Sequence, residues 1–334
     1  MALISVVMPA YNAAAHIADA IGSVLSQSVT DFELLIVDDG SEDDTAAIIG
    51  RFSDARIRHI KKGRNTGLID SLNEGMSVAC GKFVARMDAD DICLTRRFEV
   101  QLKTMEGLGA ELCGSDVRTI GRKPHLVWGY PGSNEELRFR LLFCTAFAHP
   151  TIMGTRRAFS LFPYEADYVS AEDYRLWTRM AEAGVRMTNV PEVLLQYRRH
   201  DKQESSVKAE LQRRQTERVA AEFRGSVLGE VGHDLNVLLQ KVQGDCDEQT
   251  LDDAFKVIAE VAASQGRSAS EVAFVYQLLA RKAAPMGLFV SRVFERRRVE
   301  LGIAARKDWM LLAQALMGLE REGHLYQRLK RWVS

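Results

Sequence analysis

The chain has 334 residues, of which 46% are hydrophobic and 27% charged, with 44 Lys and Arg against 45 Asp and Glu. That length exceeds one ordinary core and suits a domain of roughly 200 residues plus a second one, and the near-neutral balance gives no excess basicity for a nucleic-acid partner. No run approaches the roughly 18 apolar residues of a membrane span, and Leu3 to Pro9 lacks the basic flank and length of a signal peptide, so a cytosolic place is expected.

The first apolar run, Leu3 to Met8, is rich in β-branched residues and stops at Pro9, as a strand covered on both faces does. Ile17, Ile21, Val24 and Leu25 then recur at helical spacing. Phe32 to Val37 predicts a second strand ending in Asp38-Asp39-Gly40-Ser41, and Thr45 to Phe52 a second helix. The rhythm repeats with Ile57 to Ile60, Leu68 to Val78, and Lys82 to Met87 running into Asp88-Ala89-Asp90-Asp91. Arg96 to Leu108 reads as helix, Leu112 to Val117 as strand, Glu135 to Phe143 as helix, and Arg186 to Tyr197 as a last extended segment. Alternating strands and helices predict an α/β fold with a mostly parallel sheet, whose ligands sit outside the carboxyl ends of the strands. Strand signals then vanish. An α/β domain over 1–204 and an all-α domain over 205–334 are expected, the latter broken at Gly225 to Gly232, Gln243 to Asp245, Gln265 to Arg267 and Pro285 to Gly287. Cys80, Cys93, Cys113, Cys144 and Cys246 lack CxxC spacing and read as reduced thiols.

Asp88 and Asp90 flank Ala89 at a strand end, where an extended backbone sends alternate carboxylates to one side. Two hard oxygen ligands of this kind hold Mg²⁺ or Mn²⁺ and leave room for water and phosphate oxygens. Alone such a triplet is common and weak evidence, and a solvated acidic loop capping the next helix is the favoured account of it. Glu172 and Asp173 open another helical stretch in which Leu176, Met180 and Ala183 form the buried stripe. There the helix dipole by itself favours carboxylates.

In order and spacing, Ile4-Ser5-Val6-Val7-Met8-Pro9-Ala10-Tyr11-Asn12, Val24-Leu25-Ser26-Gln27-Ser28, Glu33 to Ser41, Asn65-Thr66-Gly67, Leu72-Asn73 and Asp88 to Asp91 resemble the family 2 glycosyltransferases of GT-A fold, over roughly residues 3–200. The resemblance implies an inverting, metal-dependent transfer of a sugar from a nucleotide diphosphate, UDP being favoured, to an acceptor hydroxyl on a saccharide or lipid-linked saccharide. It implies that Pro9, Ala10, Tyr11 and Asn12 hold the nucleoside, with Tyr11 against the base and Asp39 accepting from the uracil N3–H; for Asp39 a turn carboxylate is the alternative. Arg64, Arg86, Asp88 and Ala89 would meet the donor, since guanidinium forks suit phosphate oxygens, though either arginine also fits a salt bridge. Asp88 and Asp90 would hold Mg²⁺ or Mn²⁺. Asp173 is the implied general base and Glu172 its rival. His200, within Tyr197-Arg198-Arg199-His200, would reach the metal or diphosphate, or be a structural histidine; for His149, before Pro150, the structural reading is favoured.

The Gln-x-x-Arg-Trp motif of processive members is absent, which implies one sugar per encounter. A dinucleotide-binding GxGxxG or the glycine-rich basic loop of a nucleotidyltransferase is also missing after the first strand. A catalytically silent sugar-nucleotide-binding or assembly protein is the rival from another class. Leu325, Leu329 and Trp332 beside Arg328, Lys330 and Arg331 predict a basic amphipathic helix, either packed on its own domain or lying on the inner face of a membrane.

Overall fold

The computed structural model describes residues 2–200, 208–244, 246–283 and 289–300. Two compact units, Met1–Ala220 and Ala221–Ser334, divide the chain. In the first, elements follow the order β1 (Ile4–Ala10), α1 (Ile17–Leu25), β2 (Phe32–Asp38), α2 (Thr45–Ile49), β3 (Ile57–Lys61), α3 (Leu68–Val78), β4 (Phe83–Arg86), β5 (Ile92–Cys93), α4 (Arg97–Leu108), β6 (Leu112–Gly121), β7 (Val127–Trp128), α5 (Asn134–Leu141), β8 (Met153–Thr155), α6 (Arg156–Leu161), α7 (Glu172–Glu182) and β9 (Met187–Arg199). The strands form one sheet in the order β3-β2-β1-β4-β8-β6-β9-β5, with β7 on β6.

β1 pairs in parallel with β2 and β4, and β2 with β3. β8 runs antiparallel to both β4 and β6, and β9 lies parallel to β6. β1, β2, β3, β4, β6 and β9 therefore all point their carboxyl ends the same way, and this end carries the acidic residues. All seven residues of β1 are buried, because helices cover both faces and no polar alternation is needed. Pro9 lies past the last β4 pairing, Val7 with Arg86, so its missing N–H interrupts no ladder there.

The expected helix from Thr45 to Phe52 stops at Ile49. β5, β7 and β8, two or three residues each, had no sequence signal, since so short a pairing is set by its neighbours. Near Gly225 to Gly232 the expected break shrinks to Gly229, between helices Ala209–Leu228 and Glu230–Gln243. Gly225 and Gly232 are helical instead, and a Cβ on Gly232 would lie 2.1 Å from the Arg224 carbonyl oxygen, so this glycine serves close helix packing. The expected break at Pro285 to Gly287, the start of the helical part near 205 and the amphipathic segment Leu325 to Trp332 lie outside the described residues.

The second unit is helical. Glu230–Gln243, Glu248–Ser264, Ala269–Ala283 and Phe289–Glu300 bury Leu235, Leu239, Phe255, Ile258, Tyr276 and Phe294. Phe255 and Tyr276 stack at 4.2 Å, and the Tyr276 hydroxyl donates to the Phe255 carbonyl at 2.7 Å. No described helix is long and apolar enough to cross a membrane.

Gly75 on α3 faces the sheet where a Cβ would meet Val7 Cγ1 at 2.5 Å and Val37 Cγ2 at 3.3 Å. Gly75→Leu is expected to overpack this contact and destabilise the protein by about 1–3 kcal/mol. Urea unfolding should show a lower midpoint with an unchanged slope.

Candidate active site

β4 ends at Arg86, and the chain turns through Ala89-Asp90 before β5. That turn corrects the extended reading of Asp88-Ala89-Asp90, because it folds Asp91 back beside the other two. Carboxylate oxygens of Asp88, Asp90 and Asp91 lie within 4.8 Å of one another. Arg86, 3% exposed, gives its two terminal nitrogens to Asp88, one of them at 2.7 Å. Burial alone would lower the Arg86 pKa, but Asp88, Tyr164, Asp91 and Glu172 reverse this and hold it raised. Asp90 Oδ2 lies 2.9 Å from His200 Nε2, and the Asp90 carbonyl accepts from Arg198 Nε at 2.7 Å. Asp91 Oδ1 accepts from the Arg198 backbone N–H at 2.7 Å, whereas its Oδ2 is buried without a hydrogen-bond partner. Burial first, then Asp88 and Asp90, push the Asp91 pKa well up.

Beneath this turn sits Arg97, fully buried. Its Nη2 donates to the carbonyls of Arg86 at 2.9 Å and Ile152 at 3.1 Å, and its Nε to Gln101 Oε1 at 3.0 Å. Gln101 in turn donates to the Cys113 and Thr151 carbonyls. A charged donor in the core thus fixes α4 to the end of β4, since hydrogen bonds from an ionised group are the stronger kind.

The β1 and β2 loops are laced together. Asn12 N–H donates to Ser41 Oγ, Glu42 N–H to Asn12 Oδ1, and Ala13 N–H to Thr45 Oγ1. Tyr11 is 46% exposed above them, with Pro9 and Ala10 buried in β1. Asp39 Oδ1 accepts from the Thr66 N–H and hydroxyl, its Oδ2 accepts from the Gly67 N–H at 2.8 Å, and Lys62 Nζ lies 3.2 Å away. Burial opposes ionisation here, but these donors prevail and hold Asp39 below the usual carboxylate range. Gly40, at φ +70°, lets Arg64 and Asn65 pass: a Cβ there would lie 2.5 Å from the Arg64 carbonyl carbon. The Arg64 side chain is exposed.

Glu172 and Asp173 open α7 after Ser170, which holds a strained φ of +69°. Burial raises the Asp173 pKa, partly offset by the Tyr174 N–H and by Arg86. Arg86 therefore pairs with Asp88 and also lies within electrostatic reach of Asp91, Glu172 and Asp173. Tyr164 lies in the same field, and its hydroxyl meets His149 Nε2 at 2.8 Å. Asn73 secures it by donating to the Tyr164 carbonyl and accepting its N–H, both at 2.9 Å. His149 lies on a 3₁₀ turn, and burial and then Arg86 push its pKa well below normal, which favours the neutral imidazole.

Residues 5–164 match the family model "Glycosyl transferase family 2". An uncharacterized glycosyltransferase of Haemophilus influenzae is 31% identical over 256 residues, 71% of this chain and 77% of that protein. The chain belongs to glycosyltransferase family 2. The Escherichia coli UDP-Glc:alpha-D-GlcNAc-diphosphoundecaprenol beta-1,3-glucosyltransferase WfaP is 30% identical over 203 residues, 60% of this chain and 78% of that one. Among solved structures, S. aureus TarS 1-349 in complex with UDP-GlcNAc has the same fold, at a TM-score of 0.54 and 16% identity over 91% of this chain and 93% of that one.

In this glycosyltransferase a divalent cation fits the residues present. Three carboxylates converge, and one of their buried oxygens has no donor, a state that is costly unless a proton or a cation approaches. Asp91 was missed from sequence because strict alternation points it away from Asp88 and Asp90; the signal lay in the third acidic residue of the run. Lys62, Arg97 and Tyr164 were also missed, as nothing local tells a buried partner from a surface one.

Asp91→Asn should raise the melting temperature in EDTA, by removing one of three clustered charges, and should lower Mn²⁺ affinity by about 10- to 100-fold. Calorimetric titration and thermal melts with and without Mn²⁺ check both signs.

Proposed function

We propose that this glycosyltransferase moves one sugar per encounter, with inversion, from a UDP-sugar to a hydroxyl of a lipid-linked saccharide, with Mg²⁺ or Mn²⁺ bound. The observation that carries this reading is the unpartnered Asp91 oxygen among three carboxylates, with Arg86 paired to Asp88 and within electrostatic reach of Glu172 and Asp173. Asp88, Asp90 and Asp91 would hold the ion, and His200, 2.9 Å from Asp90, would orient it. When bound, such a cation offsets charge on the departing diphosphate.

Asp173 is the residue we assign as general base. It takes the proton from the acceptor hydroxyl as that oxygen attacks the anomeric carbon opposite the diphosphate, which inverts the configuration. Its burial supports the assignment, because a raised pKa makes a stronger base, while Arg86 keeps the carboxylate form accessible. Glu172, 7% exposed, is more enclosed and serves Arg86. Pro9, Ala10, Tyr11 and Asn12 would cradle the nucleoside, with Arg64 at the mouth. Asp39 Oδ2 accepts a single protein N–H and keeps a lone pair for the uracil imide. WfaP, by name a UDP-glucose enzyme acting on a diphosphoundecaprenol-linked GlcNAc, supports the choice of UDP and of a lipid-linked acceptor.

The test is hydrolysis and transfer with a panel of nucleotide sugars in Mn²⁺, Mg²⁺ or EDTA. UDP release from one sugar, absent in EDTA, is expected, with Asp173→Asn losing about 10²- to 10⁴-fold in turnover. Because the base acts ionised, kcat/KM should fall as the pH drops through a pKa above the usual carboxylate range. Full turnover in EDTA would remove the metal from the scheme, release of GDP would remove the UDP assignment, and a product of retained configuration would remove inversion.

A further inference from the structure

The chain is balanced in charge overall, yet Val117 to Ser133 contains Arg118, Arg122 and Lys123 and no Asp or Glu. This stretch forms the β6–β7 hairpin, and every residue from Gly121 to Val127 is exposed. Its return arm exposes two successive apolar residues, Leu126 at 39% just before β7 and Val127 at 57% at its start. A hairpin meant for water alone puts polar residues at such positions. Cations flanking exposed aliphatic residues on one projecting element match a bilayer interface, where the apolar groups enter the headgroup boundary and the cations meet anionic lipid.

The position of the hairpin matters as much as its composition. β6 and β9 run parallel and end together at Gly121 and Arg199, the Arg122 N–H donates to the Arg199 carbonyl at 3.1 Å, and Arg199 Nη1 donates to the Pro124 carbonyl. The next residue, His200, meets Asp90. The basic and apolar tip thus borders the acidic centre at the carboxyl end of the sheet.

We infer that the hairpin from Gly121 to Trp128 docks on an anionic lipid surface and so holds the active site at the height of membrane-bound acceptors. The inference rests on the lipid-linked acceptor proposed above. Hydrophobic insertion supplies depth, and the cations supply selectivity for negative headgroups.

Flotation of the full chain with vesicles tests this without donor or acceptor present. Binding is expected to vesicles of phosphatidylcholine with phosphatidylglycerol and to be weak on phosphatidylcholine alone. The triple variant Arg118→Gln, Arg122→Gln, Lys123→Gln should lose on the order of 100-fold in affinity, from about fivefold per cation near an anionic surface. Leu126→Ser with Val127→Ser should also weaken binding, and both variants should keep wild-type melting temperature and donor hydrolysis. Failure of wild type to bind anionic vesicles, equal binding by the triple variant, or displacement by an equivalent amount of inorganic pyrophosphate would each overturn the inference. Loss of vesicle binding with intact hydrolysis separates this outcome from failure of the proposed reaction, which the hydrolysis assay reads alone.

Discussion

Negative charge crowded into one end of a sheet is the constraint from which the rest of the catalytic unit follows. Asp38 and Asp39 end β2, Asp88, Asp90 and Asp91 follow β4, and Glu172 and Asp173 begin α7. Placed together in a partly dry region, these groups repel, and each needs a compensating donor. Lys62 and the first N–H groups at α3 answer Asp39, Arg86 answers Asp88, and His200 answers Asp90. Even the sheet order serves this end: β9 lies beside β6 and delivers Arg198 and His200 from over a hundred residues downstream.

Much of this was legible because the signals are local. β1 and β2 announce themselves as mostly apolar runs, interrupted only by Ser5 and Glu33, and the turn chemistry of Asp38-Asp39-Gly40-Ser41 marks the strand end where Asp39 sits. The linked motifs also have physical reasons visible only in three dimensions. Asn65-Thr66-Gly67 supplies the N–H groups that Asp39 holds, and Asn73 clamps Tyr164 from 91 residues away. What sequence did not supply is direction. Whether Asp91 points with Asp88 depends on a turn of two residues, and whether Arg97 lies in the core or in water depends on Gln101, Ile152 and Arg86 together. The glycines of the second unit teach the same lesson, since Gly232 reads as a helix breaker and proves to be a contact point.

Arg86 and Arg97 look redundant as two buried cations near one acidic turn, but their partners separate them. Arg86 faces carboxylates and sets the local field for Asp88, Asp91, Glu172 and Asp173. Arg97 faces neutral acceptors, two carbonyls and an amide, so it acts through geometry. One tunes charge and the other fixes the backbone that presents it. Neutralising Arg86 would remove its ion pair with Asp88; neutralising Arg97 would free the end of β4.

Two carboxylate oxygens among the described residues are buried without a hydrogen-bond partner, Asp38 Oδ2 and Asp91 Oδ2, and the contrast between them explains why only one points to an ion. Asp38 Oδ2 faces the His59 Nε2 at 3.5 Å, and an imidazole nitrogen can carry a proton toward it. That site can be completed from within the chain. Asp91 Oδ2 has Asp88 and Asp90 beside it, groups that only accept when ionised. Arg86 gives its two terminal nitrogens to Asp88, and Arg198 reaches Asp91 through its backbone N–H at the other oxygen. A proton on Asp91, favoured by its burial and its acidic neighbours, would relieve this crowding at one carboxylate, whereas a small, highly charged cation from outside would serve all three at once, and a fold selected for stability alone would have placed an asparagine or an apolar residue at position 91.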